Sequence, residues 1–195
     1  MKNKKIERMV GISLLLAVMI VLQFLASVFP IKIGPFPISL VLIPIVLGAA
    51  TYGVAVGGIL GGAFGVMTYI FCVNGMDIGG QMVFQASPVL CFLVVMAKGI
   101  LCGLASGFVY RMLHKTSGYV AMLCAAIICP VVNTGVFLIG MSLFFMDVLR
   151  AWAGGTDVVG YILSGLILIN FLPELGINIV FSPAGQRILR AIKKN

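Results

Sequence analysis

Five side chains sit where a hydrocarbon environment penalises them. Lys98, Asn133, Asn170, Glu174 and Asn178 all fall inside long apolar runs. A lysine near mid-bilayer costs at least ~2.5–3.5 kcal/mol on insertion scales, so something must compensate its charge. Lys98 lies about ten residues into its run, or about 15 Å deep at the helical rise. Asn133 lies at a similar depth in the next run. Asn170, Glu174 and Asn178 are spaced by four and so share a helix face, flanking Pro173. A cation, a carboxylate and two or three amides at one depth suit a polar cavity for a small solute. A structural Lys98–Glu174 ion pair with no ligand is the other reading, and the two are not exclusive. Asn133 follows Pro130 by three residues, so its amide either meets a ligand or repairs carbonyls freed by the proline.

Catalytic chemistry lacks its parts. The chain has one histidine, no G-x-x-x-x-G-K-S/T phosphate loop, no H-E-x-x-H pair and no plausibly spaced Ser-His-Asp set. The expectation is a protein that is no enzyme and needs no metal or cofactor. The five cysteines are odd in number, form no C-x-x-C pair and fall in apolar stretches, so they read as small interior hydrophobes.

The elements that position these residues follow from composition. Of 195 residues, 62% are hydrophobic and 9% charged, and the mean hydropathy is +1.21. An ordinary soluble domain is ~25% charged. A chain of this length cannot hide so much apolar surface in a water-soluble core. The bilayer must be its solvent. The reading is an all-α membrane protein of one domain over residues 1–195, a bundle of six transmembrane helices with spans at about 10–29, 38–52, 54–73, 88–112, 119–145 and 158–181. The first run is long enough to stay as a span rather than act as a cleaved signal, and no A-x-A site ends it.

Charge orients the bundle. Ten of the 13 Lys and Arg lie at the N-terminus, in the fourth-to-fifth loop and at the C-terminus. Cytoplasmic loops collect such residues, so both termini are expected inside, with the loops around Lys32, Asp77 and Arg150 outside. The net charge of +8 therefore reflects topology, and nothing marks a nucleic-acid partner, since no basic run is interleaved with aromatics. In the outer loops, Asn74, Gln81 and Gln85 are placed to close over a ligand or to be solvated. Trp152, the only tryptophan, is placed either to anchor at the interface or to join the site. Glycines recur every four residues at Gly53, Gly57, Gly61 and Gly65, and again at Gly99, Gly103 and Gly107. Such faces let backbones approach closely.

Two stretches resemble a known family. One is Gly34-Pro35-Phe36-Pro37-Ile38-Ser39-Leu40 leading into Ile43-Pro44-Ile45-Val46-Leu47-Gly48-Ala49-Ala50, followed at once by the glycine-spaced third run. The other is Cys129-Pro130-Val131-Val132-Asn133-Thr134-Gly135. Their order, with six apolar runs and basic ends, is similar to the substrate-binding S components of energy-coupling factor (ECF) vitamin transporters. The resemblance implies a bacterial plasma-membrane subunit that captures a vitamin from outside. It implies two kinds of partner, a transmembrane coupling protein and two ATP-binding-cassette ATPases, which would explain the missing phosphate loop. It also implies docking through small residues four apart on the first helix. Here these are Ser13 and Ala17, with serine where alanine is usual. Lys98 suits an anionic vitamin such as pantothenate or a folate. The candidate ligand site, read from depth and from the polar intervals, is Lys98, Asn133, Asn170, Glu174, Asn74, Gln85 and Trp152. A structural or assembly protein and a stand-alone secondary carrier are the alternatives, although no inverted repeat is evident.

Overall fold

The computed structural model describes residues 4–28, 40–155 and 157–194. Phe29, the whole proline-bearing loop over 30–37 with Lys32, and the first residues of the expected second span lie outside the described residues. Every described element is helical. Helix α1 is Lys4–Val28, α2 Leu42–Tyr52, α3 Val54–Val73, α4 Ile78–Ala86, α5 Pro88–Leu113, α6 Gly118–Phe144 and α7 Met146–Ala153. The last apolar run begins as α8 (Val158–Tyr161), widens into a π-helical stretch (Ile162–Phe171) and returns to α9 (Leu172–Lys194).

Five stretches are long and apolar enough to cross a bilayer: Lys5–Ser27, Val54–Val73, Pro88–Leu113, Gly118–Phe144 and Val158–Ala191. The 11-residue α2 is shorter than the ~20 residues a span needs. Instead it is wrapped by its neighbours. Val41, Leu42 and Ile45 are fully buried, which accounts for a helix apolar on every side. Gly53 alone joins α2 to α3. Its φ of 102° is left-handed backbone, which glycine adopts without a Cβ clash. Its N–H closes α2 on Ala49, and its carbonyl opens α3 by accepting from Val56 and Gly57.

The glycine rows form one seam between α3 and α5. A Cβ added to Gly61 would strike the Gly99 carbonyl oxygen, and one added to Gly57 would strike that of Gly103. Only hydrogen at these positions lets the backbones touch, the close packing expected from four-residue spacing. Gly61→Ala therefore forces two backbones apart. We expect a loss of about 1–3 kcal/mol, the usual cost of overpacking, seen as a lower melting temperature in detergent. Gly62→Ala serves as the control, because its Cβ meets nothing closer than 3.5 Å.

Serine 106 ties α5 to α6 by donating to the Ala125 carbonyl at 3.2 Å. Helix α1 is peripheral. Among its described side chains only Met19 is buried, and the apolar Val10, Leu14, Val18 and Val21 are exposed.

Three features differ from the sequence reading. The interval after α3 is not a loop: Asp77 caps α4 by accepting from the Gly80 N–H at 3.0 Å. The interval after α6 likewise forms α7, closed by Gly154 in left-handed conformation. The last helix continues beyond 181 to Lys194, because Ser182, Gln186 and Leu189 keep a buried face turned to the bundle. The basic residues there mark the end of the apolar run, not of the helix.

Candidate functional site

A pocket opens where α1, α3, α5, α6 and the last helix meet, below the start of α4. Gln23 enters it from α1, Thr68 from α3, Lys98 from α5, Asn133 and Thr134 from α6, and Asn170 and Glu174 from the last helix. Asp77 and Gly80 line its α4 end. Its volume is about 90 Å³, well above the ~10–15 Å³ that one water requires. Lys98, Asn133, Asn170 and Glu174 thus share one cavity.

Lys98 Nζ lies 5.0 Å from the centre of the Phe137 ring and 5.7 Å from that of Phe64. Cation–π contact contributes about 0.5–2 kcal/mol. That offsets only part of the ~2.5–3.5 kcal/mol or more that a membrane-embedded lysine costs. Glu174 is buried and faces the same cavity. Among the described residues, however, no ion pair within 4.0 Å joins it to Lys98. The direct pair, the alternative reading, is absent, and both side chains line the pocket.

Asn133 is also buried, and among the described residues its Oδ1 has no hydrogen-bond partner. Among the described residues its amide bonds no carbonyl; Pro130 frees the carbonyl of Ala126, whereas Ser106 donates to that of Ala125. An unpaired buried acceptor costs about 1–3 kcal/mol. An O–H or N–H entering the pocket would recover that cost. The pocket therefore offers a cation, an unsatisfied acceptor and a carboxylate, a set that can hold an anionic solute carrying hydrogen-bond donors.

Asn178 departs from the stripe. It donates to the Glu174 backbone carbonyl at 2.8 Å and lines a separate crevice against α2 and α6. Four residues turn a helix ~40° past a full circle, so two such steps carry Asn178 off the pocket face.

The candidates in the polar intervals lie elsewhere. Asn74 is exposed and donates to the Ile70 carbonyl at 3.0 Å, closing α3. Gln85 is exposed on α4. Trp152 is half-buried on α7, and its indole N–H meets Met82 Sδ of α4 at 3.2 Å. None of the three lines the pocket. Ser13 and Ala17 are both exposed on α1.

Several lining residues escape the sequence reading: Gln23, Thr68, Asp77, Thr134 and the two phenylalanines beneath Lys98. A signal existed for Gln23, the sole amide in the first apolar run. Thr68 gave less, since its hydroxyl bonds its own helix at Phe64, the usual behaviour of threonine in membrane helices.

Comparison with known proteins bears on what this pocket serves. Across 205 aligned positions spanning all of both chains, the sequence is 25% identical to a protein described as the pantothenic acid transporter PanT of Lactococcus lactis subsp. cremoris (strain MG1363). The family described as ECF transporter, substrate-specific component, matches residues 7–184. That match covers most or all of each helix long enough to cross a bilayer, and the chain belongs to the substrate-specific component family of ECF transporters.

Proposed function

We propose that this protein is the vitamin-capturing subunit of an ECF importer in a bacterial plasma membrane, with pantothenate as its substrate. Both termini lie in the cytoplasm, six helical segments form the bundle, and the pocket is loaded from outside. Uptake is driven by ATP hydrolysis in two cassette ATPases, transmitted through a transmembrane coupling protein. The observation that carries the reading is the pairing, in one cavity, of Lys98 with the unsatisfied Oδ1 of Asn133. Pantothenate has a carboxylate, an amide N–H and two hydroxyls. Its carboxylate answers Lys98. Its donors answer Asn133 Oδ1 and the Glu174 carboxylate, with Asn170 alongside. The full-length similarity to a pantothenic acid transporter supports the same choice.

Binding of radiolabelled pantothenate, folate, biotin and riboflavin to the purified protein tests it. Saturable pantothenate binding is expected. Failure of all four to bind would overturn the importer reading, and preference for another vitamin would overturn the substrate. Proteoliposomes separate an importer from a stand-alone carrier. Uptake is expected only with the coupling protein, the ATPases and ATP all present.

Asn133→Ala offers a sharper check. Removing an orphaned acceptor relieves its desolvation cost, so the empty protein should melt no lower than the original. Pantothenate affinity should nevertheless fall by about 1–3 kcal/mol, the worth of a buried hydrogen bond left unmade. A fall in melting temperature with unchanged affinity would return Asn133 to a purely structural role.

A further inference from the structure

At the opposite end of the bundle from the pocket's α4 side, a groove of about 740 Å³ runs between the α2–α3 turn and the last turns of α5. One end is basic. Arg111 and His114 line it, and Arg8 of α1 closes its edge by donating to the Tyr52 carbonyl at 3.3 Å. The His114 ring bonds the Arg111 carbonyl through Nδ1 at 2.9 Å. A carbonyl only accepts, so this nitrogen carries the proton and Nε2 faces away from that bond. Along α5 the lining turns apolar at Gly107 and Leu104, and Ala50 and Ala55 flanking the α2–α3 turn complete the wall. From Arg111 up to Leu104 is seven residues, or about 10 Å of helix. All five acidic residues of the chain are described, and only Glu7 sits at this end.

We propose that this groove holds one anionic phospholipid, its phosphate between Arg8, Arg111 and His114 and an acyl chain along the small-residue wall. Three observations favour a lipid over other occupants. The basic end coincides with the end of the apolar α5, the level at which headgroups lie. The groove has the polarity order of a lipid, charged at the boundary and apolar toward the bilayer. Its wall of alanine and glycine admits a slender chain. Each Lys or Arg beside an anionic leaflet contributes ~1 kcal/mol, which is about fivefold in occupancy.

The test uses the full chain in nanodiscs of phosphatidylcholine containing one-fifth phosphatidylglycerol. The lipid retained after transfer to mild detergent is counted by native mass spectrometry. The wild-type protein should keep one phosphatidylglycerol in preference to phosphatidylcholine. Arg111→Gln should lower that occupancy about fivefold, and Arg8→Gln with Arg111→Gln about 25-fold. Arg187→Gln removes the same charge from an exposed site outside the groove and should change nothing. Ala55→Phe bulks out the apolar wall without altering charge and should lower occupancy as well. Melting temperatures confirm that each variant is folded. Equal retention of both lipids overturns the proposal. So does an equal effect of Arg187→Gln, which would mean diffuse attraction. Unchanged lipid with lost capture of the coupling protein would make the groove a protein interface instead.

Discussion

Lys98→Met should lower pantothenate affinity by about 2–5 kcal/mol, the range for removing one member of a buried charged contact. That is about 30- to 5,000-fold in Kd. The fold should survive, because Lys98 makes no ion pair within 4.0 Å of Glu174 and its nearest recorded contacts are the faces of Phe64 and Phe137. Methionine packs well against both rings. The double variant Lys98→Met, Glu174→Leu separates two accounts. If the residues matter to each other alone, the single variant destabilises the protein and the double variant restores it, with binding spared throughout. If Lys98 answers a ligand anion, the single variant melts near the original temperature and the double variant binds no better. Melting temperature and Kd on both variants decide. Native-like affinity in a folded Lys98→Met protein would remove Lys98 from the site.

The sequence carried depth well and direction poorly. Lys98, Asn133, Asn170 and Glu174 each stand out because hydrocarbon penalises them, and counting residues along an apolar run fixes how deep each lies. The structure brings all four to one cavity. Rotation about the helix axis is another matter. Asn178 obeys the same four-residue spacing yet faces a different crevice, since the spacing drifts and a π-helical stretch precedes it. The alternative of a direct Lys98–Glu174 pair is not met, because facing one pocket does not bring two head groups together. Glycine spacing was legible for the opposite reason. Gly57 and Gly61 can serve only where another backbone arrives, so their partners Gly103 and Gly99 follow from their own repeat. The outer segments were least legible. Asn74, Gln85 and Trp152 are polar or amphipathic in a polar stretch, which costs nothing and so carries no information about where they point. Asp77 illustrates the gap, being at once the cap of α4 and part of the pocket lining.

Docking gives the second large effect. On α1, Ser13 and Ala17 lie exposed one turn apart, with Leu14, Val18 and Val21 exposed beside them. This helix is the least buried of the long apolar elements, which leaves its face open to the proposed coupling protein. Without a hydrophobic driving force between helices in lipid, association depends on close van der Waals approach. Small side chains permit that approach, and one indole prevents it. Ala17→Trp should therefore abolish co-purification of the coupling protein, by holding its helix several ångströms off. Pantothenate binding should be unchanged. Gln23 is the polar α1 residue at the pocket, and six residues on from Ala17 it is turned ~120° away around the helix. Ala17→Gly, which keeps the notch, should retain the complex. An unchanged yield of complex with tryptophan at this position would mean that the coupling protein meets another face. Loss of both complex and vitamin binding would mean that α1 itself had been displaced from Tyr52, which it meets through Arg8.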